Sequence, residues 1–75
     1  MIWIKLTHTG GSTYLNLDQV YKFEQTSATD ITFYDANSIL PTTYTFSTSA
    51  ELVSFMKKLE NISKVIDIDQ LAPQG

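Results

Sequence analysis

The hydrophobic rhythm of the chain changes at Thr48. Before it, short segments rich in Thr, Tyr, Phe and Ile alternate apolar with polar positions, the period of a half-buried strand. After it, Leu52, Phe55, Met56, Leu59 and Ile62 recur at helical spacing. Ile2, Ile4 and Leu6 alternate with Trp3, Lys5 and Thr7, which predicts a first strand over residues 2–7. Residues 8–12 contain Gly10 and Gly11 and read as a hairpin turn. A second strand follows over 13–17. Asp18 and Gln19 then break the alternation, because an aspartate competes for nearby backbone amides and favours a corner. Strands are expected over 20–25 and 31–34, joined by the polar residues 26–30, and a turn over 35–38 leads to a fifth strand over 40–46. Pro41 cannot donate to a ladder, so it belongs at a strand start or on an edge.

Thr48-Ser49-Ala50-Glu51 matches a capping box, in which hydroxyl and carboxylate each satisfy an orphan amide. The helix it opens is expected to run to about Asn61. Ser54, Lys57, Lys58 and Glu60 form its polar face, and the two lysines sit near its C-terminal end, where positive charge is favourable. Residues 65–69 alternate well enough for a short sixth strand, and 70–75 read as a tail beyond a single domain over 1–69. The pattern predicts an α+β fold: a bent, mostly antiparallel five-stranded sheet, or a partial barrel, packed by one C-terminal helix. Its expected core is Ile2, Ile4, Leu6, Leu15, Leu17, Val20, Phe23, Ile31, Phe33, Leu40, Tyr44, Phe46, Leu52, Phe55, Met56 and Leu59.

Composition narrows the chemistry more than it adds to it. A chain of 75 residues buries a modest core, and with no cysteine neither a disulfide nor a thiolate metal site can reinforce it, so self-association becomes a plausible source of stability. No apolar run approaches the roughly 20 residues of a membrane span, and the N-terminus lacks the basic start of a signal peptide. A cytoplasmic location is expected. Eight carboxylates against five lysines, with no arginine, leave a net charge of −3. Phosphate-binding surfaces show the opposite balance and favour the bidentate arginine fork.

Catalysis finds little to work with. His8 is the single histidine, without a second histidine or a cysteine to complete a metal site and without a nucleophile motif to complete a triad. Gly10 and Gly11 precede no helix N-terminus, so they read as hairpin glycines and not as a phosphate cradle. Asp18, Asp30 and Asp35 fall in turns, and Asp67 and Asp69 alternate with Ile66 and Ile68 as a charged edge would. No catalytic, metal or cofactor-binding residue is therefore assigned, and no cofactor is expected.

The surplus is aromatic. Eight rings are spread over the five expected strands, more than one face of a small sheet can bury, and Trp3, Tyr14, Tyr21 and Tyr34 fall on positions expected to point outward. Together with Val65, Ile66 and Ile68 they form the candidate interaction surface. The favoured expectation is a non-catalytic protein–protein interaction module of unknown partner, with a homodimer through sheet edges or the C-terminal segment as one form of it. The alternative is a sheet that stacks single-stranded nucleic acid on its rings, which the acidic balance disfavours.

Residues 1–60 also resemble small bacterial proteins of the FlbD/SwrD type, associated with flagellar genes. The resemblance is carried by Thr7-His8-Thr9-Gly10-Gly11, Leu15-Asn16, Asp18-Gln19-Val20, Phe23-Glu24, Thr26, Ile31-Thr32-Phe33 and Ser49-Ala50-Glu51-Leu52. These are mainly structural residues, and the same strand pattern occurs in short proteins of bacteria and phages. Asp35-Ala36-Asn37-Ser38 departs from the family's Asn-Gly or Gly-Lys turn, and the segment to Pro41 is longer. The resemblance implies the strand-then-helix fold and a partner-binding role.

Overall fold

The structure is a computed structural model that describes residues 1–68. The expected tail over 70–75, and Asp69 at the end of the expected sixth strand, lie outside those residues. The described residues form, in order, β1 (Trp3–His8), β2 (Gly11–Asn16), β3 (Val20–Gln25), β4 (Asp30–Asp35), β5 (Thr42–Thr45) and α1 (Ser49–Ser63), with a 3-10 turn at Leu17–Gln19. The fold is α+β. The strands form two antiparallel sheets, β1–β2 and β3–β4–β5, and not the single five-stranded sheet expected. The division falls at the 3-10 turn. There Asn16 Oδ1 accepts from the Asp18 amide at 3.0 Å and turns the chain out of β2 before β3 begins.

In the first sheet Ile4 faces Leu15 and Lys5 faces Tyr14. Its turn is tighter than the sequence suggested: His8 pairs directly with Gly11, and Gly10 at φ 96° supplies the left-handed residue such a turn needs. In the second sheet Phe23 faces Phe33 and Ile31 faces Tyr44, with a bulge at Tyr21, between Val20 and Lys22. Central strand β4 also buries Thr32 on the face away from the core. Its hydroxyl is within hydrogen-bonding distance of Thr43 Oγ1, at 2.9 Å, and of Thr26 Oγ1, at 3.5 Å. Flanking threonines thus satisfy a polar group that would otherwise be costly to bury.

Ile4, Leu6 and Leu15 from one sheet, Ile31 and Phe33 from the other, and Leu52 and Leu59 from α1 make one core. Phe55 extends it, edge-on to Phe33 at 6.4 Å between centroids and 5.4 Å from Phe46. The capping box forms as expected: Glu51 N donates to Thr48 Oγ1 at 3.2 Å, and Thr48 N to Glu51 Oε1 at 3.1 Å. The helix runs two residues past Asn61, so Lys57 and Lys58 fall short of its last turn. It ends instead on Lys64 in the left-handed conformation, φ 55°.

Two expected core residues lie outside. Ile2 precedes β1 and is exposed. Leu40 is 75 % exposed because β5 begins only at Thr42; the residue before Pro41 is held in a loop closed by Asp35, whose carboxylate accepts from the Asn37 amide at 2.7 Å. Ile62, at helical spacing from Leu59 but not among the expected core, is exposed in the last turn of α1. The sixth strand is not formed over its described part: residues 65–67 have no regular structure and Ile68 is helical.

Candidate interaction surfaces

β-Alternation places Trp3, Lys5 and Tyr14 together on the outer face of the β1–β2 pair, because Ile4, Leu6 and Leu15 take the inner one. Trp3 is 55 % and Tyr14 60 % exposed. The Lys5 ammonium stands 5.8 Å from the Tyr14 ring centroid, within range of a cation–π attraction. Two large amphipathic side chains thus share the outer face of this ribbon, with Lys5 opposite Tyr14.

Tyr21 and Tyr34 meet on the second sheet, their centroids 6.3 Å apart and tilted by 44°. The bulge between Val20 and Lys22 breaks the ladder at Tyr21. Lys22 lies opposite Tyr34, its ammonium 4.3 Å from the ring centroid and 3.4 Å from Glu24 Oε1. A hydrogen bond to Glu24, helped by desolvation and by that carboxylate's charge, holds the Tyr34 phenol above its ordinary pKa, against the opposing pull of Lys22. This pair is internally satisfied, whereas Trp3 has no such network around it.

Val65, Ile66 and Ile68 are exposed beyond the left-handed Lys64. Ile39, 99 % exposed beside Leu40, is a further apolar projection that sequence reasoning missed. The longer segment before Pro41 was its one available signal, since a loop there cannot place both side chains in a core.

A groove of about 400 Å³ lies between β5 and the β1–β2 turn, lined mainly by threonines with Leu6, Tyr44 and His8. Tyr44 crosses it, donating from its hydroxyl to the Thr7 carbonyl at 2.7 Å. His8 is engaged at both ring nitrogens. Its Nδ1 lies 3.0 Å from the Thr9 carbonyl, which only accepts, so Nδ1 donates; Nε2 lies within hydrogen-bonding distance of the Thr13 hydroxyl, at 3.0 Å. Histidine here braces the turn.

Among the described residues no group of histidines and carboxylates is arranged to hold a metal ion, and no helix is long and apolar enough to cross a membrane. No family model, curated protein or solved structure matches the chain.

Proposed function

We propose that this chain is a small, non-catalytic protein–protein interaction module that engages its partner through the outer face of the β1–β2 pair. One observation carries the reading: Trp3 and Tyr14 are more than half exposed on the same face of one strand pair, with the Lys5 stem beside them. Tryptophan and tyrosine dominate binding hot spots because they bury a large area at little entropic cost and keep a polar group at the rim. The Tyr21–Tyr34 pair is a second aromatic patch, on the other sheet. The absence of cysteine suits a cytoplasmic setting, and the FlbD/SwrD resemblance agrees with a partner-binding role.

A second reading has its own support, since each aromatic patch carries a lysine over a ring, as a base-stacking platform would. Against it stand the net charge of −3 and the lack of arginine. Titrating labelled single-stranded oligonucleotides against salt separates the two. The module reading expects no binding at physiological salt. Binding with a steep salt slope that disappears in Trp3→Ala would transfer the surface to nucleic acid.

A further inference from the structure

The two outer strands of the second sheet are treated differently. On β3 a bulge interrupts the ladder at Tyr21 and Lys22 follows it, two devices that keep foreign strands off an edge. On β5 neither is present, since no lysine falls between Lys22 and Lys57. Phe46 N donates to the Thr29 carbonyl at 2.8 Å, and Ile31 faces Tyr44, so residues 42, 44 and 46 direct their main-chain groups at β4. By alternation, Thr43 and Thr45 aim theirs at the groove. Their side chains are tied back to β4, Thr43 to the Thr32 hydroxyl at 2.9 Å and Thr45 to the Asp30 carboxylate, which holds this edge in place. On the opposite bank, Leu17 N donates to the Ile2 carbonyl at 2.8 Å, so alternation turns Thr7 away from β2. A tyrosine side chain and a 2.7 Å bond separate β5 from the Thr7 carbonyl, more than the roughly 4.8 Å between paired strands. The two banks therefore stand too far apart to pair with each other.

We propose that this groove accepts an extended, uncharged peptide segment of a partner protein, which adds as a strand to the edge of β5. Strand addition draws its affinity from main-chain hydrogen bonds, and Thr43 and Thr45 present an amide and a carbonyl each in ladder register. Bounded by Thr7 on the far side, the groove takes one strand and not the rim of a folded sheet. The lining sets the chemistry of that strand. Among the described residues that line the groove there is no lysine and no carboxylate, so a charged side chain would lose water there without gaining a counter-charge. Threonine hydroxyls serve neutral polar groups, while Leu6 and Tyr44 give short β-branched side chains an apolar contact at every second residue. Neither Trp3 nor Tyr14 lines the groove, so the proposal is independent of the surface they form.

Titration of the full chain, followed by amide NMR, with a capped synthetic peptide of alternating threonine and valine tests it. Saturable shifts at the Thr43 and Thr45 amides are expected, with slowed hydrogen exchange there and a dissociation constant below about 1 mM. The same peptide N-methylated throughout keeps its side chains and loses every ladder donor, and should bind at least tenfold more weakly. Thr45→Pro removes an amide that faces the groove and no ladder bond to β4, and should weaken the unmethylated peptide to a similar degree. The methylated peptide tests the same bonds on the natural chain, so the outcome does not hang on how well that variant folds. No saturable shift at millimolar peptide, equal binding of the methylated peptide, or shifts confined to the Trp3–Tyr14 face would each overturn the proposal.

Discussion

Single residues show most clearly how neighbours set chemistry. Tyr34 sits between a carboxylate that favours its neutral form and an ammonium that favours its ionised form, and the carboxylate prevails. Because its folded pKa is raised, the contribution of this contact to stability is complete below the ordinary tyrosine value of about 10 and is lost as pH rises through the higher folded value. Glu24→Ala removes both the acceptor and its charge, so the Tyr34 pKa should fall when followed by ring-carbon NMR across the alkaline range; an unchanged value would show that Glu24 is not responsible. At this scale the sequence was legible wherever alternation ran unbroken. Ile4, Leu6 and Leu15 are inside, and Trp3 and Tyr14 outside, as their parity demands. Ile2 and Leu40 were misread because each extends a period just beyond the end of its strand, where no facing partner remains.

Element boundaries depend on local hydrogen bonds that periodicity does not record. Thr48 could be recognised as the helix start because the capping box needs only two residue types at one spacing. The helix end could not, since Lys64 adopts a left-handed conformation that lysine does not favour. These two ends make opposite predictions in chemical denaturation. Thr48→Ala should destabilise by about 1 kcal/mol, through the loss of one capped amide. Lys64→Gly should stabilise by roughly 0.5 kcal/mol or more, because glycine enters that conformation without steric cost. Equal or reversed effects would mean that the helix ends differ from those described. The 3-10 turn escaped for a related reason: Leu17 continues the apolar alternation of β2, while the Asn16 side chain has already turned the backbone.

At the scale of the whole molecule, strand order was legible and sheet continuity was not. Five strands and a helix follow directly from the pattern, yet whether neighbouring strands share a ladder depends on how sharply the 3-10 turn redirects the chain. What the two sheets leave outward is an aromatic face, and that is the basis for reading the chain as an interaction module. Capture from nuclease-treated cell extract, run side by side with the natural chain and with the double variant Trp3→Ala, Tyr14→Ala, tests that claim most directly. The account predicts a protein retained by the natural chain after nuclease digestion and lost, by tenfold or more, in the variant. Equal retention by the variant, or capture that vanishes with the nucleic acid, would contradict it.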